Sequence, residues 1–305
     1  MKVVITGGAG YVGAELVAML ATDSDIDDLV VYDDLSRGHH GLFIGPPIGP
    51  GRVRFVRGDV LDSRKFGQTV AGAHLVYHLA AKVSTPFAEA GQHHFEQVNH
   101  WGTAEVVYAV EDHAPDARVV YLSSAAVYGQ GTGSAAVGSK PSPRTAYGSA
   151  KLRGEDHMAR LMNSHLVFIL RSGNVHGPGR SMRFDAVINR FLFEAHLHRR
   201  ITIQGSGKQR RPFVHITALV HALHALRNAK LPGGIYDVVE GDHSVLELVE
   251  TLKELYPELE LLFVDQHLDL ASLSVPCDTR LAALMPVPRG GLADDLRLLR
   301  TRLSF

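Results

Sequence analysis

Six short apolar runs, rich in Val and Ile and separated by helix-length stretches, constrain this chain more than any other feature. They are VVIT (3–6), DLVVYD (28–33), VRFVRGD (53–59), HLVYHLA (74–80), ARVVYLSS (117–124) and HLVFILR (165–171). A strand that is apolar at successive positions has no face to offer to water, so both faces must be covered. Strands of that kind alternating with helices predict a doubly wound α/β fold, a parallel Rossmann-type sheet with helices on both sides. Gly13 to Ala21 and Asn99 to His113 carry apolar residues at helical spacing, and Ala146 to Met162 predicts a long helix after the loop PSPR.

Beyond about Gly173 the pattern loosens. Strand-like ITIQG (201–205) and GIYDVV (234–239) lie among predicted helices at Thr217 to Asn228, Val245 to Leu255 and Leu292 to Leu303. This predicts a large sheet domain over 1–172 and a smaller C-terminal α/β region over 173–305 that supplies substrate contacts, with the chain able to cross between them. GPPIGPG (45–51) holds too much Pro and Gly for regular structure and reads as a surface loop.

Composition removes several function classes. Of 305 residues, 45% are hydrophobic and 21% charged, enough for a large buried core, and the net charge of −1 provides no basic field for nucleic acid or anionic lipid. The N-terminus runs straight into a strand, and no uninterrupted apolar run is long enough to span a bilayer, so the expected location is cytoplasmic with no membrane partner. The lone Cys277 allows no internal disulfide, which fits a reducing compartment. The 18 histidines do not predict a metal. His39/His40, His93/His94 and His196/His198 are spaced wrongly to share a helical face, and His221/His224 have no local carboxylate or cysteine partner.

Two constellations carry chemistry. TGGAGYVG, Thr6 to Gly13, follows the first strand and opens the first helix, with Gly7, Gly10 and Gly13 as its glycines. Glycine there permits a tight turn, close approach of backbone to a pyrophosphate and close helix packing, although a lone triplet is equally an ordinary strand-to-helix loop. Twenty residues after Gly13 the second strand ends in Asp33, placed to accept both adenine-ribose hydroxyls and to repel a 2′-phosphate, which favours NAD over NADP. Arg37 stands close enough to weaken that preference. The second constellation is Tyr147 and Lys151 in YGSAK, with Ser124 upstream. Four residues apart on a helix, the ammonium would lie near the phenol and favour its ionised form, making a usable base.

Taken in this order, these motifs resemble the extended short-chain dehydrogenase/reductase family, the group of NAD-dependent nucleotide-sugar epimerases and dehydratases. The resemblance runs through TGGAGYVG, YDDLSRG, Gly58-Asp59, HLAAK (78–82), VNHWGT (98–103), SSAAVYG (123–129), YGSAK and RSGNVHGPG (171–179), and on to GSGKQRRPFVHI (205–216). It implies that Gly7, Gly10, Tyr11, Val12, Gly13, Asp33, Asp59, Val60, Ala80, Ala81 and Lys82 line the cofactor, and that Asn99 holds the architecture of the site. It also implies Ser124, Tyr147 and Lys151 as the catalytic set, and Ser84, Ser124, Asn174 and Arg211 as substrate contacts. SSAAVYG is closest to the UDP-galactose 4-epimerases. The sugar dehydratases place Asp-Glu where this chain has Ala125 and Ala126, and the Arg-Pro-Gly-Asp segment that usually brings a second arginine to the diphosphate is absent from FVDQHLDLASLS (263–274).

The expectation is therefore an NAD-dependent epimerase of a nucleotide sugar. A dehydrogenase or ketoreductase of a sugar or other secondary alcohol would use the same residues. A catalytically silent NAD-sensing protein fits the intact Ser, Tyr and Lys set less well. The resemblance also implies a homodimer through the helices at Asn99 to His113 and Ala146 to Met162.

Overall fold

The apolar runs pair side by side. The computed structural model describes residues 1–38, 40–44, 46–49, 51–83, 91–129, 135, 137–267, 270–285 and 290–303. Its strands are β1 (Lys2–Thr6), β2 (Asp28–Asp33), β3 (Val53–Arg57), β4 (Leu75–His78), β5 (Arg118–Ser124), β6 (Val167–Ser172), β7 (Asn174–His176), β8 (Arg200–Gln204), β9 (Arg210–His215), β10 (Gly234–Val238), β11 (Gly241–Ser244) and β12 (Glu260–Val264). The helices are α1 (Tyr11–Leu20), α2 (Ser63–Val70), α3 (Gln92–Phe95), α4 (Gly102–His113), α5 (Ala146–Leu161), α6 (Val187–His198), α7 (Ile216–Ala225), α8 (Val245–Leu255), α9 (Thr279–Ala282) and α10 (Leu292–Arg300).

The large sheet has the order β3-β2-β1-β4-β5-β6-β10, and each neighbouring pair is parallel. Chain order runs outward from β1 in both directions. It reverses between β1 and β4, where the loops at the carboxyl ends diverge and open a crevice. Successive residues of each strand enter different cores, as the two-residue period of a strand requires. Val3, Ile5, Val31 and Tyr77 pack under α1 and α7 with Leu16, Leu20, Leu219 and Leu223. Val4, Val30, Val76 and Tyr121 pack under α2, α4 and α5 with Phe66, Val106, Val110 and Met158.

Residues beyond 172 build a second, smaller core. It packs α6, α8 and α10 around β8 and Phe213 of β9 through Leu192, Ile201, Leu248 and Leu296. A three-stranded sheet, β11-β9-β7, and a two-stranded one, β12-β8, belong to this part. Two elements return from it to the large sheet: β10 extends the sheet beside β6, and α7 lies against α1. Polar contacts from α1 fasten the two parts together. The Tyr11 hydroxyl donates to the Gly177 carbonyl, and Glu15 Oε1 accepts from Arg180 N at 2.6 Å.

The helix expected from Asn99 begins earlier and differently. A π-helical turn, Glu96–Trp101, precedes α4 and contains Asn99. No helix among the described residues is long and apolar enough to cross a membrane, and no group of metal-ligating side chains occurs among them.

Candidate active site

The crevice is floored by the glycine loop. Gly7 has φ +70°, and a Cβ there would lie 2.6 Å from the Ala80 nitrogen; a Cβ on Gly13 would lie 2.3 Å from the Gly7 carbonyl. No side chain fits either place, so the loop closes tightly against both the β4 loop and the start of α1. Gly10 caps α1 without a side-chain hydrogen bond. The first-turn N–H groups and the positive end of the helix dipole are thus left for an anion such as a pyrophosphate.

Asp33 stands at the edge of that loop. Its Oδ2 accepts from Ala9 N at 3.0 Å and its Oδ1 from Leu35 N at 2.8 Å, with Leu35 in the left-handed region at φ +61°. Burial pushes the carboxyl above its usual pKa, against these two N–H groups and Lys82. Each oxygen keeps a lone pair that a ribose hydroxyl can use. Asp59 and Val60 line the same end of the cavity, and Lys82 Nζ donates to Ser36 Oγ at 2.7 Å.

The wall opposite is held by a directed hydrogen-bond chain. Thr103 gives its only hydroxyl proton to the Asn99 carbonyl at 2.9 Å, so His78 Nε2, 2.9 Å away, must donate to Thr103. His78 Nδ1 then accepts from Thr6 Oγ1 at 2.7 Å, and Thr6 accepts in turn from Ala80 N at 3.3 Å. Burial drives His78 to a pKa of about 3, which keeps it neutral, as the chain requires. Asn99 itself does not line the cavity; it holds the backbone of Lys82, which does.

The catalytic candidates meet at the far end. Thr145 caps α5 by accepting from Gly148 N at 3.0 Å, so Tyr147, Lys151 and Glu155 follow one another along one side of the helix. Ser124, at the end of β5, hydrogen-bonds to the Tyr147 hydroxyl. Lys151 is buried; its Nζ donates to the Leu122 carbonyl at 2.8 Å and lies 4.9 Å from the Tyr121 ring centre. Burial lowers its pKa to about 7, against the pull of Glu155. Glu155 is fully engaged, accepting from Ser123 Oγ at 2.5 Å and from Arg171 at 2.6 and 3.0 Å.

Burial raises the Tyr147 pKa, and the groups that oppose it are the Ser124 hydroxyl and then the charge of Arg183. Lys151 gives one of its N–H groups to the Leu122 carbonyl, and burial brings its pKa down to about 7. The i, i+4 spacing sets both residues on the same side of α5.

Toward β9 the cavity holds the substrate candidates. Asn174 donates from Nδ2 to the Pro212 carbonyl at 3.0 Å, and Arg211 donates from Nη1 to the Arg210 and Ala271 carbonyls at 2.9 and 2.6 Å. The segment without the second arginine therefore packs beside Arg211 and contributes apolar wall through Leu270 and Leu273. Arg183 and Arg190, which no sequence spacing marks, line the same space. The whole cavity is about 580 Å³ and gathers every sequence-derived site residue except Asn99 and Ser84, the latter lying outside the described residues. Its acids, among the described residues, are Asp33, Asp34, Asp59 and Asp185. Ala125 and Ala126, the positions after Ser124, line the same cavity.

Comparison with known proteins bears on the family and the fold. The profile of the NAD dependent epimerase/dehydratase family matches residues 3–238. A dTDP-D-glucose 4,6-dehydratase from Mus musculus is 28% identical over 259 residues, covering 83% of this chain and 72% of the relative. UDP-glucuronic acid decarboxylase 6 from Arabidopsis thaliana is 27% identical over 281 residues, covering 88% and 78%. The solved structure of MoeE5 in complex with UDP-glucose and NAD superposes with a TM-score of 0.84 at 26% identity, covering 100% of both chains.

Proposed function

The chain belongs to the NAD-dependent epimerase/dehydratase family and binds NAD, and on that premise we propose that it epimerises a nucleotide sugar by transient oxidation to a keto sugar. The observation that carries this reading is the pairing of an intact Ser124, Tyr147 and Lys151 set with alanine at both 125 and 126. Eliminating water needs a further acid and base beside the reacting carbons. Within the described cavity, Asp33, Asp34 and Asp59 belong to the cofactor end, and Asp185 is held by Arg183 at 2.8 Å. The relatives named as dehydratase and decarboxylase therefore share the frame, while this chain's own residues favour oxidation followed by reduction.

In this reading Tyr147 takes the proton from the sugar hydroxyl as the carbon is oxidised. Ser124 donates to the phenol oxygen and steadies its ionised form. NAD, which the glycine loop, Asp33 and Lys151 would hold, would supply the acceptor and donor of hydride. Lys151, whose side chain reaches the cavity near Tyr147, would hold the cofactor's ribose. Arg211, with Asn174 next to it, takes a phosphate oxygen of the substrate, and Arg183 and Arg190 substitute for the missing second arginine. A dehydrogenase would use the same groups, and the apolar wall at Leu270 and Leu273 is the observation that favours it, because it leaves one flank of the substrate without a charged grip.

We also infer a homodimer formed through α4 and α5, where Trp101 and Tyr108 are 57% and 44% exposed, and a cytoplasmic location, in keeping with the single cysteine. The catalytic assignment is tested by Tyr147→Phe. It should lower turnover by at least ~100-fold while NAD binding persists; wild-type turnover would remove Tyr147 from the mechanism.

A further inference from the structure

Arg37 and Asp185 face each other at the rim of the cavity, brought there by separate parts of the chain. Arg37 lies in the loop after β2, four residues past Asp33, and Asp185 lies just before α6. Their side chains, each about one third exposed at 34%, approach to 3.5 Å between Nη2 and Oδ2. Asp185 also receives Arg183, Nε to Oδ1 at 3.1 Å and Nη2 to Oδ2 at 2.8 Å. One carboxylate thus holds two guanidinium groups, one from the cofactor loop and one from the substrate region.

NADP differs from NAD by a phosphate on the adenine-ribose 2′ oxygen, the group that Asp33 is placed to read. A protein that accepts this phosphate needs a cation beside it, and an arginine is well shaped for the purpose. Arg37 is in the right loop, which the Asp33 to Leu35 hydrogen bond and the Lys82 to Ser36 contact hold in place. Its guanidinium, however, is turned toward Asp185.

We propose that Asp185 is a specificity-determining residue, which keeps the enzyme on NAD by engaging the one arginine of the ribose loop that could receive a 2′-phosphate. Burial alone would raise the Asp185 pKa, but hydrogen bonds and charge from Arg183, with a further contribution from Arg37, leave it below the usual carboxylate range. The carboxylate is therefore ionised throughout the neutral range. Discrimination then has two parts: Asp33 repels the phosphate, and Asp185 withholds its counter-charge. Lys82 and Arg183 are further cations lining this cavity, and Arg183 shares the Asp185 carboxylate, so the test must separate both from Arg37.

Calorimetric titration of NAD and NADP into the full chain provides that test. Asp185→Asn should raise NADP affinity relative to NAD by ~10-fold, the gain expected of one charge-assisted arginine-phosphate contact. Adding Arg37→Met to that variant should abolish the gain, whereas a gain that survives belongs to Lys82 or to the released Arg183 and overturns the proposal. Arg37→Met alone should leave NADP affinity where it was, because the guanidinium is already engaged; a marked loss would show that Arg37 serves the phosphate in the unaltered protein. This last variant decides the matter even if Asp185→Asn fails to fold. The proposal rests on Asp33 reading the ribose, and Asp33→Ala tests that separately, since it should relax the preference with Asp185 intact.

Discussion

Asn99 brackets a single residue, Lys82: its Oδ1 accepts from Lys82 N and its Nδ2 donates to Lys82 O, both at 2.8 Å. A carboxamide satisfies both backbone groups at once, as a neighbouring strand would, and fastens the loop after β4 to the π-helical turn. Such turns are uncommon and tend to mark functional positions. Here the widened turn presents Asn99 toward that loop while its carbonyl ends the chain of hydrogen bonds from Ala80.

Replacing this bracket should loosen the cofactor wall. Asn99→Ala leaves two backbone groups without partners, a loss of roughly 1 to 3 kcal/mol in stability, and should weaken NAD binding by ~10-fold as Ala81 and Lys82 lose their position. Denaturant unfolding and calorimetric titration of NAD measure the two effects. Unchanged NAD affinity would show that the bracket serves the fold alone.

Lys151 makes a different prediction, because its ammonium is costly to bury. Its pKa falls from 10.5 to about 7 on burial, so between those values the unfolded chain binds a proton that the folded chain does not. The destabilisation from this group is complete below about pH 7 and is relieved as pH rises toward the unfolded value. Lys151→Met should therefore be more stable than the unaltered protein at about pH 6, by a few kcal/mol, since each tenfold loss of proton affinity on folding costs about 1.4 kcal/mol. The advantage should shrink as pH rises toward about 10. Activity should fall by ~100-fold or more. Thermal unfolding across that pH range checks the stability claim, and a variant less stable at the acid end would show that the ammonium is a net stabilising group.

The dimer proposal rests on Trp101, which is 57% exposed at the end of the π-helical turn. Trp101→Glu would set a charge against a second copy of the same face, and truncated hot-spot aromatics commonly cost about 2 kcal/mol or more. Light scattering after size exclusion should show a dimer for the unaltered chain and a monomer for the variant. An unaltered chain that is itself monomeric would dismiss the dimer.

Much of this was legible in the residues alone. The five inner strands β1, β2, β4, β5 and β6 are visible because a sheet covered on both faces demands unbroken apolar runs, whereas β3 lies at the edge and is only partly buried; the Val245 helix starts at a capping box of Ser244 and Glu247. The second core was less visible. Asn174–His176, Arg210–His215 and Gly241–Ser244 are short and largely polar, and they become strands only by pairing with one another. Arg183, Asp185 and Arg190 carry no motif spacing and reach the cavity only because the chain between β7 and α6 folds over it. The i, i+4 relation of Tyr147 and Lys151 was plain, but their burial, and the charges of Arg183 on Tyr147 and of Glu155 on Lys151, are set by tertiary packing.

The central claim is a closed hydride cycle, and the fate of the hydride tests it most directly. Purified protein should carry NAD through chromatography, and incubation with UDP-, dTDP- and GDP-hexoses should convert one of them to an epimer of identical mass. Absorbance of NADH at ~340 nm should not accumulate, because the cofactor serves both half-reactions. NADH formed in proportion to substrate consumed would contradict the cycle and identify a dehydrogenase. A product lighter by one water, or by carbon dioxide, would contradict it in the other direction and show that Ala125 and Ala126 do not prevent elimination or decarboxylation.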